Sequence, residues 1–156
     1  MTHDITISEL LNMAVSREQD SYFFYMDLRD IVVDPDVKDT LAWIGEEEKR
    51  HRKFLVDYRS GKFGFKSMRL SDVVDFRIAE NVKEPEITHE IDSAEVFLIA
   101  SRRELNAYRF YMDLSGIASQ EEIRKMLLQM AGEELRHKEK MEYLYTNTAF
   151  PQTSGG

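Results

Sequence analysis

The chain repeats itself. With no gap, an offset of 86 positions pairs Thr2-His3-Asp4-Ile5 with Thr88-His89-Glu90-Ile91, Arg17-Glu18 with Arg103-Glu104, and Tyr25-Met26-Asp27-Leu28 with Tyr111-Met112-Asp113-Leu114. The register persists through Leu41 and Leu127, Glu47-Glu48 and Glu133-Glu134, and Arg50-His51 and Arg136-His137, and it covers all four histidines. Whatever one half folds into, the other half must fold into as well. The two copies, about residues 2 to 58 and 88 to 144, are read as homologous helical hairpins joined by a connection at 59–87, with a flexible tail at 151–156.

Helix is the expected element because only 7 Gly and 3 Pro interrupt the 156 residues, while Glu, Leu, Met, Lys and Arg abound. Thr6 with Glu9 and Asp92 with Glu95 form capping-box patterns at equivalent places in the repeat, and Asp34-Pro35 and Ser119 with Glu122 mark the second helix of each hairpin. Ser71 and Asp72 are read as the cap of a short helix running to about Ala79. A connection near 30 residues can run the length of a helix of about 40 Å, so the second and third long helices should be parallel. One all-α domain over 1–150 follows, a ferritin-like four-helix bundle with a long crossover.

Composition narrows the partners. A formal net charge of -8 with no basic block disfavours nucleic acid. No apolar run suits a bilayer, and Met1 to Ile5 do not begin a signal peptide, so no membrane partner and a cytoplasmic location are expected. With no cysteine, disulfides, thiolate zinc sites, iron-sulfur clusters and cysteine nucleophiles are excluded from the chain.

Chemistry enters through polar residues on apolar faces. Glu18 shares a helical stripe with Leu11, Ala14, Val15, Tyr22 and Tyr25, and Glu104 with Phe97, Ala100, Ser101, Tyr108 and Tyr111. His51 lies among Ile44, Phe54, Leu55 and Tyr58, and His137 among Met130, Met141 and Leu144. Glu48 and Glu134 stand three residues before these histidines, on the same face; Glu47 and Glu133, four before, satisfy the spacing equally well. Glu18, Glu48, Glu104 and Glu134 are each about 15 residues from their hairpin turn, which puts them at one level, about 22 Å along the helices. Four carboxylates and two imidazoles at mid-height form the donor set of a carboxylate-bridged dimetal centre, suited to iron or manganese. A salt-bridged bundle interior is the competing reading, but a gapless repeat would then have kept the set by accident.

Through Glu18, Glu48-x-x-His51, Glu104 and Glu134-x-x-His137 the chain resembles, over nearly its whole length, the rubrerythrin-like branch of the ferritin-like superfamily. The resemblance implies that Glu18 and Glu104 are terminal ligands, that Glu48 and Glu134 bridge two iron ions, with manganese or a mixed pair as alternatives, and that His51 and His137 each bind one ion. Many rubrerythrins carry an extra glutamate three residues after the third-helix ligand, where this chain has Ala107, and many append a cysteine-ligated domain; the six-residue set is closer to the bacterioferritin pattern.

The function implied is that of a non-haem diiron oxidoreductase of peroxidase or ferroxidase type, acting on hydrogen peroxide or dioxygen with an external electron donor, in oxidative stress and as a homodimer. An iron-binding or storage protein and a metal-free interaction bundle are the alternatives. Tyr25 and Tyr111, one heptad beyond the terminal ligands, are expected either to hydrogen-bond ligand carboxylates and interrupt radicals or to pack as core. Trp43 and the eight Met are assigned to the core, His3 and His89 to positions outside the bundle, and Glu46 to Arg50, apart from Glu48, to a solvated face.

Overall fold

The computed structural model describes residues 6–61, 85–88 and 90–149. Its elements are four long α-helices: α1 (Ile7–Ile31), α2 (Pro35–Arg59), α3 (Ser93–Ile117) and α4 (Glu121–Ala149), with no strand among the described residues. Each begins near its expected cap. At Thr6 the capping box closes in both directions, Glu9 N–H donating to the Thr6 hydroxyl at 3.1 Å and Thr6 N–H to the Glu9 carboxylate at 2.9 Å. Asp92 accepts from Glu95 N–H at 2.8 Å, and Asp34 accepts from Asp36 N–H at 2.8 Å ahead of Pro35.

The fourth cap departs from expectation. Helix α4 starts at Glu121, with the Gln120 carbonyl accepting the first helical bond from Arg124 N–H, so Ser119 lies outside the helix. Glu121 and Glu122 instead place negative charge against the orphan N–H groups of the first turn, and Arg124 pairs with Glu121 at 2.6 Å. At the far end of α2 the chain leaves the helix through Gly61 at φ 80°, a left-handed position that costs glycine nothing. The segment proposed as a short helix, Ser71 to Ala79, falls outside the described residues, as do His3 and His89.

Three-residue turns make α1 and α2 antiparallel neighbours, and α3 and α4 likewise. Cross-contacts orient the hairpins. Tyr25 reaches Glu104 and Tyr111 reaches Glu18, so α1 and α3 run in opposite directions; His51 meets Glu134 and His137 meets Glu48, so α2 and α4 do too. Helices α2 and α3 are therefore parallel, the arrangement that a long crossover requires.

The apolar interior is divided. One cluster holds Leu10, Leu11, Ala14, Leu55, Tyr111, Leu114, Ile123 and Leu127; the other holds Val96, Phe97, Ala100, Met141, Tyr25, Leu28, Val37 and Leu41. Position by position, these are repeat images of one another. Each cluster draws on all four helices, and the buried glutamates lie between them. The repeat extends outward to Arg17 over the Phe110 ring at 5.0 Å and Arg103 over Phe24 at 4.2 Å.

Leu41 and Leu127 are equivalent and fully buried, one in each cluster. Each substitution to Ala should cost about 2–5 kcal/mol in urea unfolding. Because the two clusters are separated by the polar layer, the double variant should be additive within about 0.5 kcal/mol. A larger coupling would show that the halves pack as one core.

Candidate metal centre

At mid-height each helix turns one carboxylate inward: Glu18 from α1, Glu48 from α2, Glu104 from α3 and Glu134 from α4, none more than 1% exposed. His51 and His137, each 4% exposed, enter from α2 and α4 and stack nearly parallel, ring centroids 5.4 Å apart. His51 Nδ1 lies 2.9 Å from Glu134 Oε1 and 3.7 Å from Glu18 Oε2. His137 Nδ1 lies 3.4 Å from Glu48 Oε1 and 3.8 Å from Glu104 Oε2. Every one of these contacts joins different helices, which backbone spacing alone does not specify.

Two interpenetrating quartets result. Glu18, Glu48, His51 and Glu134 each offer a ligand atom within 4.8 Å of the others, and so do Glu48, Glu104, Glu134 and His137. Glu48 and Glu134 belong to both. Glu47 and Glu133, which the spacing could not separate from them, are only half-buried and are drawn outward by Arg50 at 2.7 Å and Arg136 at 3.4 Å. Ala107 is 4% exposed, so a methyl group occupies the buried position one turn beyond Glu104.

Tyr25 and Tyr111, both fully buried, cross the bundle rather than serving the glutamate on their own helix. Tyr25 donates to Glu104 Oε1 at 2.9 Å and Tyr111 donates to Glu18 Oε1 at 2.5 Å. Burial and the neighbouring carboxylates hold both phenols well above their ordinary pKa, so they remain donors across the physiological range.

Four ionised carboxylates in so dry a layer would repel strongly. In the metal-free protein, protons relieve this. Burial, with the charges of neighbouring glutamates, raises Glu48 and Glu134 well above the carboxylate range. Burial would raise Glu18 and Glu104 also, but their polar neighbours outweigh it: Glu18 is lowered by Glu48, His51 and Tyr111, and Glu104 falls to about 2 through Glu134, His137 and Tyr25. Within each hairpin, then, the first-helix carboxyl is the more acidic and the second-helix carboxyl the more ready to hold a proton. His51 is raised well above 6.5, because the Glu18 and Glu134 carboxylates more than offset its burial.

The remaining polar capacity points inward. Glu18 Oε2, Glu48 Oε1, Glu104 Oε2 and Glu134 Oε2 are buried and accept no hydrogen bond, and His137 Nδ1 is buried and makes none, its nearest carboxylate oxygens lying at 3.4 and 3.8 Å. Oxygen donors with one imidazole per quartet fit a pair of divalent first-row metal ions, which would satisfy these atoms together.

Two expectations need correction. Trp43 is 36% exposed, not core: its ring stands edge-on to His137 at a centroid distance of 5.7 Å, with Lys140 Nζ 3.8 Å above it. Its apolar neighbour Ile44 takes the core-facing position instead, fully buried. Among the methionines, Met126, Met130 and Met141 are fully buried, whereas Met13 and Met112 are 44% and 38% exposed. Glu47, too, is only partly solvated. Its side chain is 19% exposed and lines, with Trp43, Glu133 and His137, a cavity of about 590 Å³ between α2 and α4. Pairing of α2 with α4 creates this cavity, and only the i, i+4 relation of Glu47 to His51 foreshadows it.

The raised groups bind protons in the folded state that the unfolded chain releases. For Glu48 and Glu134 that stability is lost as pH rises from the unfolded value of about 4.3 through the folded pKa; for His51 it is present below about 6.5 and lost above. The lowered Glu18 and Glu104 contribute stability that is complete once pH exceeds their unfolded value. Metal-free protein should therefore lose stability between about pH 5 and 8 in denaturant titrations, and Glu48→Gln should flatten that slope. A wild-type slope of the opposite sign, or one the substitution leaves unchanged, would contradict the buried carboxyl pairs.

Comparison with known proteins agrees with this architecture. The fold is shared with a solved structure of a hypothetical protein from Pyrococcus furiosus, at a TM-score of 0.63 over 96% of this chain and 94% of that one, with 22% sequence identity. No curated protein sequence matches the chain. The rubrerythrin family's sequence profile matches residues 2–92 and 95–152, nearly the entire length. With its two hairpins and its buried glutamate and histidine cluster, the chain belongs to the rubrerythrin family.

Proposed function

We propose that the chain is a dimetal-carboxylate oxidoreductase that holds two iron ions and uses hydrogen peroxide or dioxygen as oxidant, reducing peroxide or oxidising Fe(II). The observation that carries this reading is the sharing of Glu48 and Glu134 between two quartets that each contain one histidine. In this reading Glu48 and Glu134 bridge, Glu18 and Glu104 are terminal, and His51 and His137 each serve one ion. When bound, such a pair supplies open coordination positions and two electrons at which an oxidant reacts.

The chain's own residues prepare that chemistry. Tyr25 and Tyr111 fix the terminal carboxylates by donating to one oxygen and leaving the other directed inward. The two apolar clusters exclude water above and below the layer, which strengthens every charge interaction within it. Electrons come from outside this bundle, whose 156 residues include no cysteine to hold an iron-sulfur or rubredoxin-type centre. A cytoplasmic homodimer is part of the same proposal; among the described residues no helix is long and apolar enough to cross a membrane, and light scattering reads the assembly directly.

Anaerobic Fe(II) loading followed by stopped-flow mixing with peroxide or oxygen tests the activity. Oxidation with either supports an enzyme; bound iron that consumes neither points to iron storage, and absence of bound metal to an interaction bundle. Glu48→Ala or Glu134→Ala should deplete both ions in elemental analysis, whereas His51→Ala or His137→Ala should deplete mainly one. Equal losses in all four variants would contradict the bridging roles. Bound divalent metal should also reverse the pH trend, so that the stability difference between loaded and metal-free protein grows from about pH 5 to 7. Thermal unfolding with and without a redox-inert divalent ion measures it, and a shrinking difference would count against carboxylate ligation.

A further inference from the structure

A third grouping of donors lies outside the two quartets. A carboxylate oxygen of Glu47 and one ring nitrogen each of His51 and His137 lie within 4.8 Å of one another. His51 also belongs to one inner quartet and His137 to the other, so the imidazoles are the members that the outer and inner groupings share. Their Nδ1 atoms face inner carboxylates, which leaves Nε2 on the other edge of each ring. Glu47 and His137 both line the open cavity between α2 and α4.

On this basis we infer that Glu47, His51 and His137 form a transient entry site, where a divalent cation arriving through the cavity is first bound before it passes inward. The inference rests on the dimetal reading above. The inner carboxylates are at most 1% exposed, so a hydrated cation has no direct access to them and needs an intermediate ligand that exchanges water for protein atoms stepwise. Glu47 stands at that depth, its side chain 19% exposed. Carboxylate plus neutral imidazole is a donor set that Fe(II) and its neighbours accept, and binding there releases any proton held on the rings. The site is also built to release. Arg50, whose side chain is 71% exposed, holds the Glu47 carboxylate at 2.7 Å and competes with the cation for it, whereas the inner glutamates, giving up any protons they hold, draw the cation on.

The chain carries its own reporter, because its single tryptophan, Trp43, lines the same cavity and stands against His137. Stopped-flow mixing of the metal-free full chain with Co(II), a paramagnetic quencher, should reveal a fast phase at the entry site followed by a slower one. Glu47→Gln should slow the fast phase roughly 10-fold, while elemental analysis still finds two ions per chain at equilibrium. Glu47→Asp, which retains the carboxylate, should recover much of the rate and guards against a folding defect in the Gln variant. Glu139→Gln removes equal charge from the same cavity without touching the grouping, and should slow loading by no more than about twofold. Unchanged kinetics in Glu47→Gln, or equal slowing in Glu139→Gln, would overturn the entry site while leaving the dimetal reading intact. Wild-type protein that binds no Co(II) at equilibrium would overturn both, and stoichiometry separates that outcome from a change in rate.

Discussion

Four glutamates that meet in a layer excluded from water must each be neutralised or matched, and the rest of the bundle is arranged around that requirement. Without metal, the matching is done by the raised proton affinity of Glu48, Glu134 and His51 and by phenol donors from across the bundle. A protein arranged in this way is less stable empty than an equivalent apolar bundle would be, and ligand binding offsets the difference.

The duplication turns one such solution into a symmetric pair. Each hairpin contributes one carboxylate from its first helix, and one carboxylate and one imidazole from its second. Antiparallel pairing of the hairpins then exchanges partners: the tyrosine of one repeat serves the glutamate of the other, and the histidine of one repeat faces the second-helix carboxylate of the other. Neither hairpin closes a quartet alone. The same exchange divides the apolar interior into two image clusters, so hydrophobic burial secures the layer from both sides.

Departures from symmetry mark where the site meets its surroundings. Glu47 and Glu133 are repeat equivalents, yet only Glu47 joins the imidazoles in a donor grouping. Trp43 has Gln129 as its counterpart, so the tryptophan that lines the cavity has no image in the other repeat. An interior can repeat because both halves face each other, but an entrance opens on solvent and has no reason to.

Much was legible in the chain before folding, because helical periodicity and capping are local. The gapless repeat, Thr6 with Glu9, Asp34-Pro35, and the equal distance of four glutamates from two turns are all properties of nearby residues, and they suffice for the fold class and for the level of the polar layer. Three matters waited for the helices to pack. Whether Glu47 or Glu48 turns inward depends on a rotation of α2 that i−3 and i−4 spacing leaves open, and packing against α4 settles it by burying Glu48. That Tyr25 serves Glu104 and not Glu18 depends on how deeply the hairpins interlock. The displacement of Trp43 from the core to the rim of a cavity depends on the edge between α2 and α4, a surface that neither helix possesses alone. Local sequence sets which face of a helix is apolar; contacts between residues some 80 positions apart decide which atoms on that face meet, because those contacts exist only after the chain has closed on itself.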